Sequence, residues 1–568
     1  MSAITKYDDE AARIMRDPVL WTEKHIGQKP RWYQEQILRH PHNRIVLRCG
    51  RRLGKCIVGT QRILNAETGA YESIDSLYKR QAKQTPLFAL QEDYTLAATK
   101  SFYIEDNGVK PTFKVRTKHG AEVQLTGNHP VLTIDGWKEV DALHVGEFIA
   151  VPKALPAFGK NAPGIAHAKM AGYIVGAYQK TKKGPVLSLY SKNSVDSILQ
   201  TAESVEVLLV KKTEQNFFFH DDSGKFVDII KQREIGIPDE VFLYDKIHLA
   251  VFLAALYDAN GWNYSERIAE IGFGTRNVRM VRDLKHLLLR FGIDGNIVTR
   301  ELTGAPYYQL MVYAKKQVLS FIEQIAIYSA KDYSGTKRHA DTMTEKESTL
   351  PPKIWEYVDK ERIAKGMKKY EVTGSKTEKF RPNIGLSEEK AARYADNLQY
   401  PFLYDLARSD IYWEEVTAII PMGDQQTYDV FVPEVHNLVV EDILVHNTWT
   451  MCAHMLWVAF TANGGALAQG GATCVVATPY DSQAKLIYDQ LNTFIESNEV
   501  LRNSIKSSTK NPYYIKFHNG SVIKLFTAGT KSGSGGASLR GQKADSKKTL
   551  LTNAYKEKGF LQTSPSTE

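Results

Sequence analysis

The amino-acid sequence predicts a multidomain fold: a strand-rich module that carries an α+β insert, flanked on both sides by pieces of an α/β phosphate-binding domain. Three observations predict it. A phosphate-loop pattern stops after Lys55 and is completed at Thr448. Short strands and turns occupy two separate stretches, residues 56–155 and 408–447. Between these stretches, over residues 156–407, long helical patterns alternate with β-branched runs.

The first flank, residues 1–55, ends in a strand and a glycine-containing turn. The apolar run "RIVLRC" leads into "CGRRLGKC", which contains the Gly54-Lys55 pair of a phosphate-binding loop. Such a loop continues with Ser or Thr because the hydroxyl coordinates the Mg²⁺ of a nucleotide, whereas the soft thiol of Cys56 suits this hard cation poorly. Strand and turn signals follow Cys56, although a helix is expected after a phosphate-binding loop.

The second flank supplies what the first one lacks. The stretch "TWTMCAHMLWVAF" begins with Thr448 and continues as an apolar segment of helical length. Joining Lys55 to Thr448 therefore produces a complete phosphate-binding loop with a helix behind it. We expect residues 1–55 and 448–545 to form one domain, and residues 546–568 to form an atypical polar tail.

The interrupting segment, Cys56 to Asn447, resembles an intein, a protein insert that splices itself out. The resemblance rests on a nucleophile at the first position, the internal motif "TGNHPVLTIDGW", the paired motifs in "TYDVFVPEVHNLVVEDILVHN", and the hydroxyl of Thr448 after the last residue. It implies that residues 56–447 are excised and that Lys55 is ligated to Thr448. It also implies an all-β, horseshoe-like module of the Hint type, in which strands from both ends of the segment interleave.

Splicing chemistry explains the residue types. A thiol is needed at Cys56 because sulfur is intrinsically nucleophilic and a good leaving group, so an N→S acyl shift can begin the reaction. The Thr448 hydroxyl then attacks the thioester, Asn447 cyclises through its side-chain amide, and an acyl shift from oxygen to nitrogen restores a peptide bond. No cofactor and no metal is expected for these steps. The resemblance implies assisting roles for Thr126 and His129 at the first scissile bond, for Asp429 and His436 in branching and C-terminal cleavage, and for His446 in the cyclisation.

Two segments of the insert, "MAGYIVGAY" and "LAALYDANG", resemble the helices of the LAGLIDADG homing endonucleases. In that family each helix ends in an acidic residue that binds a divalent metal, but Ala177 and Asn260 stand at these positions here, and Asp258 lies close to the second one. Because Mg²⁺, the cofactor of an active endonuclease, needs carboxylate oxygens, we expect an insert that binds DNA, the intein-less target gene, with weak or lost cleavage. Core helices without a role in DNA binding are the alternative.

The joined flanks resemble the ATPase domain of the large terminase subunit of tailed phages. The resemblance implies ATP and Mg²⁺ as cofactors of the spliced host, and the packaged phage genome, the terminase small subunit and the portal as partners. No Asp-Glu strand of the Walker B type and no nuclease domain follows, so we expect a truncated or split gene product, or a second intervening element at Asp545. The residues implied in nucleotide binding after splicing are Trp32, Tyr33 and Gln34 for the adenine, and Arg51, Gly54, Lys55 and Thr448 for the phosphates.

Composition narrows the setting of the protein. The formal net charge of +9 permits a nucleic-acid partner without requiring one, and the four cysteines lack metal-binding spacing, which indicates a reducing compartment. Without a signal peptide or a membrane-spanning apolar run, we expect the cytoplasm of a phage-infected or prophage-bearing bacterial cell and no membrane partner. Two other functions stay open: a P-loop ATPase with a large insertion that never splices, and an active site-specific homing endonuclease.

Overall fold

A computed structural model of the protein describes most of the chain between residues 13 and 527. The described residues are 13–26, 56–82, 85–99, 103–264, 269–344, 349–432, 435, 437–446, 450–461, 472–478, 487–488, 491–492, 494–496 and 498–527. The chain divides into two compact units, one formed by residues 1–54 and 448–568 and one by residues 55–447. It passes from one unit to the other at or next to the positions where the sequence predicts the splice junctions.

The stretch before residue 155 is built from short strands, because its β-branched and aromatic runs are separated by glycine-containing turns. One such turn joins β6 to β7 through Gly120, whose φ is 91°. In chain order the elements are α1 (Pro18–Ile26), β1 (Ile57–Val58), β2 (Arg62–Leu64), β3 (Tyr71–Ser73), α2 (Ile74–Lys79), β4 (Leu87–Leu90), β5 (Leu96–Thr99), β6 (Tyr103–Thr117), β7 (Glu122–Thr126), β8 (Pro130–Thr133), β9 (Gly136–Glu139) and β10 (Phe148–Pro152).

The insert consists of two similar halves followed by a group of helices. In each half a helix is followed by a hairpin, a second helix and a second hairpin. The elements are α3 (Ile165–Ala177), β11 (Tyr178–Thr181), β12 (Gly184–Ser188), α4 (Lys192–Ser204), β13 (Leu208–Lys211), β14 (Asn216–His220), α5 (Val227–Gln232), α6 (Asp239–Phe242), α7 (Lys246–Asn260), β15 (Gly261–Tyr264), β16 (Glu270–Thr275), α8 (Val278–Leu289), β17 (Asn296–Leu302), β18 (Ala305–Val312), α9 (Lys315–Gln324), α10 (Ser334–Thr342), β19 (Thr349–Leu350), α11 (Ile354–Ala364), α12 (Lys369–Thr373), β20 (Leu386–Ser387), α13 (Glu388–Leu398) and α14 (Pro401–Ala407).

After the insert the chain returns to strands and then enters the second flank. The remaining elements are β21 (Ile411–Phe431), β22 (Asn437–Val440), β23 (Ile443–His446), α15 (Thr450–Thr461), β24 (Thr473–Thr478), α16 (Glu499–Ser504), β25 (Ile505–Lys510), β26 (Tyr513–Phe517) and β27 (Val522–Thr527). Helix α15 lies where the sequence predicts the helix that follows the completed phosphate-binding loop.

Strands from both sides of the insert share two sheets. One sheet has the order β1-β7-β6-β21-β10, with an additional pairing of β1 and β21, and the other has the order β22-β23-β8-β9. The long strands β6 and β21 pair from Thr117 and Val416 at one end to Tyr103 and Phe431 at the other. The predicted interleaving of the two ends is therefore present, and a short helix, α2, is the main departure from an all-β module.

The two helices singled out in the sequence of the insert, α3 and α7, pack closely against each other. A Cβ atom at Gly172 would lie 2.3 Å from the carbonyl oxygen of Phe252, and one at Gly176 would lie 2.6 Å from Cβ of Ala259. Only glycine allows this approach, since the opposing atoms belong to the backbone and the first side-chain carbon of α7. Each half of the insert also carries its own sheet, ordered β11-β12-β14-β13 and β15-β16-β18-β17.

The flanking unit contains a mixed sheet with the order β24-β27-β26-β25. Strands β24 and β27 are parallel, from Thr473 and Val522 to Thr478 and Thr527, which requires a crossover connection as in α/β folds. Trp21 of α1 is fully buried in this unit. Among the described residues, no helix combines the length and the apolar character needed to cross a membrane.

Candidate functional site

Strand β1 brings Cys56, the first residue of the predicted intein, between strands β7 and β21 of the five-stranded sheet. Ile57 pairs with Leu125 of β7 and with Tyr428 of β21. One of these strands precedes the insert of residues 156–407 in the sequence, and the other follows it. Cys56, which immediately precedes β1, is fully buried. The thiol therefore lies where the two halves of the strand-rich module meet.

Thr126, at the end of β7, contacts the backbone of Cys56 directly. Its Oγ1 accepts a hydrogen bond of 3.1 Å from the Cys56 N–H, and its own N–H donates to the Cys56 carbonyl at 2.9 Å. The Thr126 hydroxyl donates its one hydrogen to Oδ1 of Asn128 at 2.7 Å, which leaves a lone pair for the Cys56 N–H. A side-chain hydroxyl thereby holds the nitrogen of the peptide bond that precedes Cys56.

A tight turn after Thr126 buries His129. The His129 N–H donates to the Thr126 carbonyl at 2.9 Å, and the Val140 N–H donates to the His129 carbonyl at 3.1 Å. Gly127 lies against Asp141 in this turn, because a Cβ atom at this position would lie 1.9 Å from Oδ1 of the Asp141 carboxylate, which would have to move. Both residues of the predicted Thr-x-x-His pair are thus fixed by backbone contacts, and the His129 side chain is shielded from solvent.

Charged groups of both signs surround the Cys56 thiol. The Lys110 ammonium lies 2.7 Å from Sγ, Thr427 forms a hydrogen bond with the thiol, and the Asp429 carboxylate acts on it electrostatically. Burial and Asp429 raise the pKa of the Cys56 thiol to about 11, whereas Lys110 and Thr427 act in the opposite direction. The sulfur is therefore protonated at neutral pH, and the lysine supplies the positive charge that stabilises a thiolate when one forms.

The C-terminal hairpin approaches the turn that carries His129. Strand β23 pairs with β8 through Val445 and Val131. Continuing this antiparallel register by one residue places the backbone of His446 opposite Pro130, next to His129. The structure describes the backbone of His446 but not its side chain. Several other predicted site residues lie outside the described part of the chain: His436, Asn447 and Thr448 for splicing, and Trp32, Tyr33, Gln34, Arg51, Gly54 and Lys55 for nucleotide binding.

The positions that hold metal ligands in the LAGLIDADG family are occupied differently here. Ala177 is apolar, and Nδ2 of Asn260 donates to a backbone carbonyl at 2.9 Å. Asp258 is buried and accepts hydrogen bonds from the backbone N–H groups of Ala330 at 2.8 Å and Lys331 at 3.3 Å. Asp258 thus holds a loop of the insert in place, and these residues do not fit the binding of a hard divalent cation.

One group of side chains within the described ranges has the composition of a metal site. His119 Nδ1 lies 2.9 Å from Oδ2 of Asp294 and 3.5 Å from Oε1 of Glu414. Burial lowers the pKa of His119, but the hydrogen bonds to both carboxylates outweigh this effect and raise the pKa to about 9. The Lys285 ammonium also binds Asp294, at 2.6 Å. Two cations therefore balance two carboxylates, and the group is an ion-pair network between the strand-rich module and the insert.

The sequence analysis missed three residues that contact the site: Lys110, Asn128 and Thr427. Asn128 lies inside the motif "TGNHP", so its closeness to Thr126 could have been read from the sequence. Lys110 and Thr427 carry no such signal. They reach the thiol because Lys110 pairs with Gln425 and Thr427 pairs with Val58 across sheet strands that are far apart in the chain.

The chain is similar to known proteins in sequence and, in part, in structure. The family model described as the intein splicing domain matches residues 66–447. Among curated proteins, the replicative DNA helicase DnaB of Rhodothermus marinus is 25% identical over 386 residues, covering 60% of this chain and 40% of the helicase. Protein RecA of Mycobacterium tuberculosis is 22% identical over 442 residues, covering 69% of this chain and 56% of that protein. The chain spans about half the length of these curated relatives.

Two solved structures are also similar in part. A variant of the Ssp DnaB mini-intein is 14% identical and covers 71% of this chain and 98% of its own, with a TM-score of 0.24. The structure of I-DmoI in complex with DNA and Mn is 15% identical and covers 28% of this chain and 96% of its own, with a TM-score of 0.23. Neither score is high enough to define a fold shared over the whole chain.

The match to the intein splicing domain over residues 66–447 identifies the class of this protein as self-processing. The sequence match assigns the particular family. This chain belongs to the intein splicing domain family, with the match ending at Asn447.

Proposed function

We propose that residues 56–447 excise themselves and that Lys55 becomes joined to Thr448. The observation that carries this proposal is the hydrogen bond from the Cys56 N–H to Oγ1 of Thr126, 3.1 Å long. The atom held in this way is the nitrogen that must leave the Lys55 carbonyl in the first step. A hydroxyl that binds this nitrogen and a buried thiol on the same residue are suited to acyl transfer.

The first two steps exchange acyl bonds. The Cys56 thiol loses its proton, Sγ attacks the Lys55 carbonyl carbon, and the carbon–nitrogen bond breaks while the nitrogen gains a proton. The Thr448 hydroxyl then attacks the thioester, which transfers the upstream segment to oxygen and returns the thiol to Cys56. Thr126 and His129 assist the first step and Asp429 assists the second, in line with the positions of their motifs.

The last two steps release the intein and restore a peptide bond. The side-chain nitrogen of Asn447 attacks its own carbonyl carbon, which forms a cyclic imide and breaks the bond to Thr448. His446 and His436 serve this step as proton donors. The freed Thr448 amine then attacks the ester carbon, so that oxygen leaves and an amide forms. No metal or other cofactor takes part.

Intact-mass measurement of the expressed chain tests the proposal. We expect a ligated product that lacks the mass of residues 56–447, together with the free excised segment. Cys56→Ala should abolish the ligated product, and Asn447→Ala should stop the reaction before release. A full-length chain that persists in the presence of a thiol, with Cys56 and Asn447 intact, would contradict the proposal.

We further propose that the joined flanks form the nucleotide-binding part of a phage terminase large subunit, with ATP and Mg²⁺ as its cofactors. Support comes from the phosphate-loop and adenine residues of the sequence and from the parallel strand pair of the flanking unit. The curated relatives named above are a helicase and RecA, so they do not contribute to this assignment. Nucleotide binding by the spliced product, and its absence in an unspliced Cys56→Ala, Asn447→Ala double variant, would support it.

The insert is proposed to bind the duplex DNA of the uninterrupted host gene with little or no cleavage. The close packing of α3 and α7 supports the binding scaffold, and the side chains of Ala177 and Asn260 argue against metal-dependent cleavage. Electrophoretic mobility shifts on a duplex that contains the joined sequence, and intact plasmid after incubation with Mg²⁺ or Mn²⁺, are the expected results. Site-specific cleavage would overturn the cleavage part of the proposal.

A further inference from the structure

Helix α8 of the insert directs its polar side chains into the strand-rich module. Three side chains of this helix, one basic, one acidic and one imidazole, form short contacts with that module. Nη2 of Arg282 lies 2.6 Å from Oε2 of Glu122, Oδ1 of Asp283 lies 2.5 Å from Nη1 of Arg62, and Nδ1 of His286 lies 2.7 Å from Oδ1 of Asp442. A helix that only completed the core of the insert would place apolar residues at these positions.

The same face continues beyond the end of α8. The guanidinium of Arg290 is buried and donates from Nη2 to the carbonyl oxygen of Gly69 at 2.7 Å, and from Nη1 to that of Phe242 at 2.8 Å. A Cβ atom at Gly69 would lie 2.9 Å from Nη1 of Arg290. The insert is thus fitted to the strand-rich module both by charge and by shape.

Arg62 connects three parts of the protein that are distant in sequence. It lies in β2, shortly after Cys56. Its backbone N–H and its Nε both bind Oε1 of Glu441, at 2.9 and 3.2 Å, and its Nη1 binds Asp283 of the insert. The Arg62 guanidinium also lies over the ring of Tyr71, 4.1 Å from the ring centre. Asp283 also accepts a hydrogen bond from the Ile237 N–H at 3.0 Å and pairs with Arg279 at 3.2 Å. Because Arg62 and Asp283 are both buried, loss of either one would leave the other with fewer opposite charges away from water.

The turn held by this network leads directly to the C-terminal splice junction. Glu441 and Asp442 join β22 to β23, and both adopt left-handed backbone conformations, with φ of 45° and 61°. Such conformations are unfavourable for residues other than glycine unless surrounding contacts maintain them. The contacts here are Arg62 and Tyr71 on Glu441, and His286 on Asp442. Strand β23 then runs from Ile443 to His446.

We propose that the insert is a working part of the splicing machinery, and that Asp283 and His286 are positioning residues that hold the turn at residues 441–442 and thereby place His446 and Asn447 for cyclisation. The proposal rests on the splicing function put forward above. It gives the insert a role in this protein that does not depend on DNA.

His286 acts on the turn as a hydrogen-bond donor. Burial lowers the pKa of His286 below its ordinary value, so the imidazole is neutral near pH 7 and carries one N–H. The contact with Asp442 is made by Nδ1, which places the hydrogen on this nitrogen. The ring also stacks on Tyr71, with centroids 3.8 Å apart. The other ring nitrogen, Nε2, accepts from the guanidinium of Arg290 at 3.2 Å. Phenylalanine keeps an aromatic ring but loses both nitrogens, whereas asparagine loses the ring and Nε2 but keeps a donor at the position of Nδ1, so the two variants differ in the donor to Asp442.

The test separates the two junctions in the full-length chain. C-terminal cleavage is followed in a Cys56→Ala background, where only Asn447 can react, and N-terminal cleavage is followed in an Asn447→Ala background with dithiothreitol. His286→Phe should slow C-terminal cleavage about tenfold or more, because small displacements of reacting groups have effects of this size, and leave N-terminal cleavage nearly unchanged. His286→Asn should restore C-terminal cleavage, and Asp283→Asn should behave like His286→Phe.

The matched control is His220→Phe, since His220 is an exposed histidine of the same insert, and it should change neither rate. Equal slowing of both junctions by His286→Phe and by His286→Asn would overturn the proposal, because it would show a general loss of folding. Unchanged rates in His286→Phe and Asp283→Asn would overturn it as well. Failure of the splicing function itself would be distinct, since the unmodified chain would then cleave at neither junction.

Discussion

The backbone N–H of Cys56 donates a hydrogen bond of 3.1 Å to the side-chain oxygen of Thr126, across 70 positions of sequence. This contact orients the nitrogen that leaves in the proposed acyl shift, and it depends on the pairing of β1 with β7. It also makes the first splice junction part of the sheet.

The first prediction concerns the Thr126 hydroxyl. Thr126→Val keeps the shape of the side chain but leaves the Cys56 N–H without its acceptor, so thiol-induced N-terminal cleavage should slow by about tenfold or more. Thr126→Ser keeps the hydroxyl and should retain most of the rate. The measurement is the release of residues 1–55 from the Asn447→Ala chain, and equal rates for the Val and Ser variants would argue against a role of the hydroxyl.

The second prediction concerns Lys110 and pH. Because the pKa of the Cys56 thiol is raised to about 11, the thiolate fraction and the N-terminal cleavage rate should rise about tenfold per pH unit from about pH 7 to about pH 9. Lys110→Met removes the nearby positive charge, which raises the pKa of the thiol further and lowers the rate at every pH in this range. Lys110→Arg preserves the charge and is the control. A rate that does not depend on pH would contradict attack by the thiolate.

The third prediction separates the two actions of Asp429. Its carboxylate raises the pKa of the Cys56 thiol, so Asp429→Asn should lower this pKa and accelerate N-terminal thioester cleavage at neutral pH. The same change should slow formation of the ligated product if Asp429 assists branching. Titration of the thiol by alkylation rate, together with the yield of ligated product, measures both effects. A variant with slower N-terminal cleavage would contradict the electrostatic part.

The fourth prediction concerns the packing of α3 on α7. Gly172→Ala places a carbon 2.3 Å from the Phe252 carbonyl oxygen, so the helices must move apart and the free energy of unfolding should fall by roughly 1–3 kcal/mol. In the interior of an exposed helix, the same exchange stabilises by roughly 1 kcal/mol. Urea unfolding of the chain that carries Cys56→Ala and Asn447→Ala, with and without Gly172→Ala, measures the difference, and an unchanged or increased stability would exclude the close approach.

The fifth prediction concerns His119 at the boundary of the strand-rich module and the insert. Its pKa is raised to about 9 by Asp294 and Glu414 against the effect of burial. The stabilisation is therefore fully present below the unfolded pKa of about 6.5 and is lost as the pH rises through about 9. Thermal unfolding should show a lower melting temperature at about pH 9.5 than at about pH 6. His119→Asn should flatten this dependence, and an equally steep profile in that variant would refute the assignment.

The sequence by itself predicts the splice junctions and the chemistry at the two ends of residues 56–447. A thiol at Cys56 and an amide at Asn447 are recognisable because acyl shift and cyclisation require these groups at the ends of the excised segment. Thr126 and His129 share a short motif whose turn is local, so their mutual placement also follows from sequence. The sequence also predicts α3 and α7 as helices, and it shows Ala177 and Asn260, not acidic residues, at their last positions.

Tertiary structure alone decided which groups surround these ends. Lys110 reaches the Cys56 thiol, and Arg62 reaches Glu441 across 379 positions of sequence, through strand pairings that no local pattern specifies. The contacts of α8 with the turn at residues 441–442 depend on how the insert is docked on the sheets. The reacting residues can be predicted from the sequence, because each chemical step requires a particular type of side chain. The environment that tunes and positions those atoms arises only when distant strands and the insert pack together, since many different residues can satisfy the same contact.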